Sequence, residues 1–216
     1  MGHGLHYQRV LQALPYLLGG AGESVMLALM AFLMALVLGL GLAIARMESG
    51  GGLRPAASGF VIFFTNTPQL SQIFAMFYCL PMAGINLSPF VSVLLGMTLN
   101  ASAYLSNILV AGIGQTPRIY HEAADTLGLN LRQKYMRIIV PHVLRIMYPA
   151  LNNHFVIMLL GTSMASIFGV EELTGRAYYL ASVTFRSFEV LSITAVLYVA
   201  MSFLASRFLM SLRRLV

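Results

Sequence analysis

Charge is what this sequence has least of. Of its 216 residues only 9% are charged, against about a quarter in an ordinary soluble domain, while 58% are hydrophobic and the mean hydropathy is +0.80. That balance excludes a water-soluble globule and predicts one all-α membrane domain over residues 1–216. Cysteine is nearly absent: Cys79 stands alone in an apolar run, so no intrachain disulfide or thiolate cluster can form, and it reads as a small core residue. There is no GxxxxGK[ST] loop, no HExxH, no Ser/His/Asp trio with a nucleophile elbow and no acid pair in the apolar interior. A nucleotide site of the phosphate-loop type is excluded, and enzymatic activity in this chain is not expected. The start, Met1 to Arg9, lacks the apolar run and small-residue cleavage site of a removable leader, so the first membrane helix is expected to be its own insertion signal.

Long uncharged runs are what the chain has in place of charge. Ser24 to Ala45 is 22 residues without a charge, enough to cross about 30 Å of hydrocarbon. Its Gly39 and Gly41 read as close-packing positions. Pro55 to Pro117 is 63 residues without a charge, too long for one helix and right for two, divided at Pro81 to Pro89. The expected spans are about 24–45, 57–80, 90–114, 146–170 and 189–206. Five spans put the termini on opposite sides. Arg46, Arg54, Arg118, Arg132, Lys134, Arg137, Arg145, Arg207, Arg213 and Arg214 then share one side, which is ten of the thirteen basic residues. The positive-inside bias makes that side cytoplasmic, leaves the amino terminus outside, and explains the net charge of +6 without a nucleic-acid partner.

The main polar island, about 116–141, reads as two short helices. Thr116 is expected to cap the first, with Pro117 at its first position and Gly128 supplying the left-handed residue at its end. Tyr120, Ala123, Ala124 and Leu127 fall on one stripe at i, i+3, i+4, i+7, opposite Arg118, Glu122 and Asp125. Two adjacent alanines leave the backbone approachable, as suits a groove on another protein; a plain helical connector is the other reading. Asn130 caps the second helix with Gln133 as capping-box partner. Leu131, Tyr135, Ile138 and Ile139 face one way, and Arg132, Lys134 and Arg137 the other.

Polar side chains inside the spans form clusters. Asn66, Thr67, Gln69 and Gln72 surround Pro68; Asn100, Ser102, Ser106 and Asn107 sit in the third span; Asn152, Asn153 and His154 open the fourth, with Thr162, Ser163 and Ser166 deeper. Helix–helix hydrogen bonding accounts for Ser102 and Ser166. For Asn66, Thr67, Gln69, Asn107, Thr162 and Ser163 two readings stand: packing, or lining a polar path, since Pro68 breaks its helix and frees a carbonyl. His154 reads as an interface histidine. Glu171 and Glu172 read as a solvated helix terminus or an external docking point.

Glu122-Ala123-Ala124, then Gly128, Ile139 and Pro141, resembles the EAA loop of the membrane-spanning subunits of bacterial ABC importers. Further stretches resemble the polar amino acid branch of these permeases: Leu17-Leu18-Gly19, Thr67-Pro68, Tyr78-Cys79-Leu80-Pro81, Ala103-Tyr104-Leu105, Leu151 to Phe155, and Thr162-Ser163 leading to Thr174. The resemblance implies a type I ABC importer transmembrane fold in the bacterial inner membrane. It implies two permeases sharing an alternating-access path, a cytoplasmic ATPase dimer holding ATP and magnesium, and an extracytoplasmic binding protein that delivers substrate. It makes Pro117 to Leu127 the coupling helix, with Tyr120, Glu122, Ala123, Ala124, Leu127 and Gly128 as its functional positions.

The sequence departs from the family where relatives carry charge. Thr65-Asn66 replaces Arg-Gly, Asn107 and Val110 replace a Glu and an Arg, and Leu160-Gly161 replaces Lys-Asp. The expectation is one half of a heterodimer whose partner supplies charged contacts, or a substrate other than a simple polar amino acid. A non-transporting scaffold subunit is the alternative from another class. A secondary transporter would need an internal coupling carboxylate, for which the sequence offers no convincing candidate.

Overall fold

The computed structural model describes residues 7–48 and 50–212, and these form helices joined by short turns, with no strand among them. Helices α1 (Tyr7–Gln12) and α2 (Leu14–Glu48) are followed by α3 (Leu53–Thr65) and α4, which is built from Gln69–Phe74, a π turn at Ala75–Cys79 and Leu80–Met82. Then come α5 (Pro89–Gly114), α6 (Arg118–Thr126) and α7, built from Leu131–Lys134, a π turn at Tyr135–Ile139 and Val140–Ile146. Helix α8 (Tyr148–Gly161) tightens into a 3₁₀ turn at Thr162–Phe168, and α9 (Leu173–Thr184) and α10 (Ser187–Leu212) close the chain. The basic tail residues Arg213 and Arg214 lie outside the described residues.

Among the described residues four helical stretches are long and apolar enough to cross a membrane: Leu14–Glu48, Pro89–Gly114, Tyr148–Phe168 and Ser187–Ser211. The expected span 57–80 is not one helix. Pro68 has no N–H to offer the carbonyl of Phe64 and sits in extended conformation (φ −62°, ψ 133°), so the run splits into α3 and α4. The first spanning helix, α2, begins ten residues before the uncharged stretch, so Leu17-Leu18-Gly19 lies within it and Glu23 sits on its flank.

Apolar side chains gain nothing by leaving lipid for other apolar side chains, so packing rests on close approach of small residues. Helix α2 supplies Ala28, Ala31, Ala35, Gly39 and Ala43, all buried, on one stripe at spacings of three and four. From Ala31 onward this stripe lies on α5, the most buried of the long helices, while Ala28 packs against Phe155 and Leu159 of α8. At Gly39 a Cβ would stand 2.9 Å from the Ser102 carbonyl oxygen, so no larger residue fits without moving a backbone; Gly41 faces open space, contrary to expectation. Val196, Val199, Leu204 and Phe208 of α10 remain largely exposed, as a lipid-facing surface should be.

Candidate functional site

The break between α3 and α4 opens a cavity of about 540 Å³ lined by Thr65, Asn66, Thr67, Pro68, Gln69, Asn100, Tyr104, His154, Ile157 and Met158. The carbonyls freed there are satisfied from other helices. Gln72 Nε2 donates to the Phe64 carbonyl at 3.0 Å and to Thr67 Oγ1 at 2.6 Å. Asn100 Nδ2 donates to the same Phe64 carbonyl at 3.1 Å, and the Tyr104 hydroxyl reaches the Thr65 carbonyl at 3.3 Å. Irregular backbone at membrane depth survives only where such donors meet it or where it lines a cavity, and both conditions hold here. The ring of His154 lies against that of Tyr104, with centroids 5.7 Å apart, and its Nε2 is buried without a partner.

Three of the six candidate path residues therefore meet in one cavity: Asn66, Thr67 and Gln69. The other three do not join them. Asn107 lies further along α5 and accepts a hydrogen bond from Arg46 at 2.8 Å, while Arg46 also donates to Ser106 at 3.2 Å. Thr162 is fully buried with its hydroxyl on the Leu159 carbonyl, and Ser163 caps back onto Leu160. A tightened 3₁₀ turn spends both hydroxyls on its own backbone. Sequence reading missed Tyr104 and the cavity role of Asn100 and His154. Asn100 and Tyr104 share one face of α5 at i, i+4, which was the available signal.

The helix α6 is the second site. Its amino terminus is not capped by Thr116, whose hydroxyl is turned back onto the Gly112 carbonyl; Pro117 occupies the cap position with no side-chain bond. Gly128 does take the left-handed conformation, with φ +64°. The predicted stripe is divided. Ala124 is fully buried against the chain itself, and Tyr120 is turned onto His142 with ring centroids 4.7 Å apart. The outward face is instead Ile119, Ala123 and Leu127 at i, i+4, i+8, with Ile119 69% and Leu127 71% exposed. Glu122 pairs with Arg118 on its own helix at 3.0 Å.

Behind α6 the chain is braced. Lys134 donates to both oxygens of Asp125, at 2.8 and 3.1 Å, and Asn130 with Gln133 makes the expected reciprocal capping box. The π turn that follows rotates Tyr135 and Ile139 inward and leaves Leu131 half exposed, so the second predicted face is only partly realised. Burial, with the Glu48 carboxylate accepting its hydrogen at 2.6 Å, pushes the Tyr135 phenol above its ordinary pKa and keeps it a donor.

At the opposite end of the bundle Glu172 is neither solvated nor free to dock a partner. It is fully buried and accepts from Ser24 Oγ at 3.0 Å, Tyr198 hydroxyl at 2.8 Å, Thr174 N at 3.0 Å and Gly175 N at 2.9 Å. It thereby caps α9 while fastening α2 and α10 to it. Among the described residues no three His, Cys, Asp or Glu side chains gather as a metal site requires.

Residues 35–215 match the family described as binding-protein-dependent transport system inner membrane component. The chain is 35% identical to the L-cystine transport system permease protein TcyB of Bacillus subtilis over 163 residues, covering 76% of this chain and 70% of that protein. It is 32% identical to the probable amino-acid ABC transporter permease protein PatM of Vibrio harveyi over 200 residues, covering 90% and 89%. Among solved structures it superposes on a chain of an amino acid ABC transporter crystallised with histidines, with a TM-score of 0.87 and 28% identity, over 99% of this chain and 100% of that one.

Proposed function

This chain belongs to the binding-protein-dependent transport system inner membrane components, and on that premise we propose that it lines half of the path by which an ATP-driven importer moves amino acids or similar polar solutes. It is a permease subunit of the ABC transporter type, a translocating rather than a catalytic chain. In this reading a cytoplasmic ATPase dimer binds ATP and magnesium and docks on α6, chiefly through Ile119, Ala123 and Leu127. An extracytoplasmic binding protein delivers substrate at the opposite end. The α6 side is cytoplasmic together with the carboxyl terminus, and the amino terminus is outside, as the distribution of basic residues favours.

The observation that carries the reading is the neutral cavity at the α3/α4 break. Its polar lining is made of amides, hydroxyls and His154, with no acidic or basic side chain beyond that imidazole. His154 stands at its wall with a buried Nε2 that has no hydrogen-bond partner within the chain, a polar atom that a small turn of the ring would offer to a solute. A cavity without charge cannot by itself neutralise both ends of an amino acid, which favours a different second permease that brings the charged contacts. The test is uptake into vesicles holding the intact complex. His154→Leu should lower uptake at limiting substrate by about tenfold while the ATPase still turns over. Unchanged uptake would remove this cavity from the path, and a complex weighing two copies of this chain with no second permease would remove the heterodimer.

A further inference from the structure

The last turn of α2 is held from two sides by polar contacts that packing alone does not require. On one side Glu48 accepts from the buried Tyr135 of α7 at 2.6 Å; on the other, two residues back, Arg46 donates to Asn107 of α5 at 2.8 Å. Tyr135 is itself bound to α6 through its neighbour Lys134, which clasps Asp125. The sequence separations are large, 87 residues for Tyr135 to Glu48 and 61 for Arg46 to Asn107, so these bonds tie together elements that chain connectivity leaves independent.

We propose that Tyr135 and Glu48 form a strut that passes displacement of α6 into the end of α2, and through Arg46 and Asn107 into α5, the helix that carries Asn100 and Tyr104 to the cavity. Three features support it. Tyr135 is 1% exposed and Ile139 is fully buried, so the π turn moves with the apolar cluster of Ala43, Leu109, Ile113 and Val143 rather than sliding over it. A π turn shifts the register of its side chains by one extra residue, and here Tyr135 at its start aims a phenol at the carboxylate that ends α2, five elements earlier in the chain. Glu48 is exposed, so its bond to Tyr135 can break and re-form without burying an uncompensated charge. A residue that served packing alone would not need the hydroxyl. Tyr135 and Glu48 are therefore positioning residues, acting on the path through α2.

The proposal rests on α6 docking the ATPase, and the experiment separates the two. In vesicles with the complete importer, uptake and ATP hydrolysis are measured together, with co-purification of the ATPase as the docking readout. Tyr135→Phe should leave docking and hydrolysis in place while uptake per ATP falls roughly fivefold to tenfold. Glu48→Ala should do the same, and the double variant should be no worse than either single one. Glu48→Gln, whose amide oxygen still accepts, should restore most of the coupling. Additive losses in the double variant, or uptake per ATP unchanged in Tyr135→Phe, would overturn the strut. Loss of co-purification in Leu127→Asp tests the docking face alone; retention there would sink that reading and with it the strut's source of motion.

Discussion

The two ends of this bundle are fastened by opposite means. At the end away from α6 a single carboxylate, Glu172, sits in a dry interior with four donors from three helices, so nothing there can move without stranding several polar groups at once. At the α6 end the fastenings are separate pairs, each with one partner exposed: Asp125 with Lys134, Tyr135 with Glu48, and Arg46 with Asn107. The molecule can bend at one end and not at the other. An end tied by a buried network is a fixed point, whereas an end tied by solvated contacts can be pulled by a partner at little cost.

The largest effect is expected at Glu172. Replacing it with Ala leaves two backbone N–H groups and Ser24 without that acceptor and leaves the Tyr198 hydroxyl with Thr174 alone, and should cost about 3–5 kcal/mol, read as a large drop in thermal midpoint of the purified complex. A drop no larger than that of a surface variant would remove the fixed point. Next in size is the helix break between the two ends. Gln72→Leu removes donors from Phe64 and Thr67 and should cost about 1–3 kcal/mol, with increased hydrogen exchange confined to residues 64–72. Exchange spread evenly over the molecule would show the break to be no local weak point. The smallest effect belongs to the α6 end. Asp125→Asn should cost less than about 1 kcal/mol, because Asp125 is 64% exposed, and should fade further at high salt. A cost comparable to that at Glu172 would erase the contrast.

Several features were legible because they are local. Pro68 with Asn66, Thr67 and Gln69 marks a helix break and a polar cluster within four residues, and the structure opens the cavity there. Asn130 with Gln133, and the left-handed Gly128, follow from short-range backbone chemistry. Thr116 misled because a threonine hydroxyl has two local partners, the following N–H groups and the preceding carbonyl, and here the carbonyl at Gly112 won. The division of the α6 stripe was not legible, since spacing places Ala123 and Ala124 side by side but says nothing of what lies beneath one of them. Glu172 was read as a solvated helix terminus or an external docking point because it borders an apolar run; it does cap a helix, and only the arrival of Ser24 and Tyr198 makes it an interior residue.

What the sequence determined by itself is the class of object: a charge-poor chain of long apolar helices with one polar island, whose capping chemistry and turns are set by neighbours along the chain. What tertiary structure decided is which face of each helix looks inward. Helices that are apolar on every side carry no amphipathic signal, because lipid and protein interior are equally apolar to them. The cavity wall of Asn100, Tyr104 and His154, the Glu172 knot and the Tyr135 strut are all contacts between residues far apart in sequence, and they exist only once small-residue packing has brought those helices together.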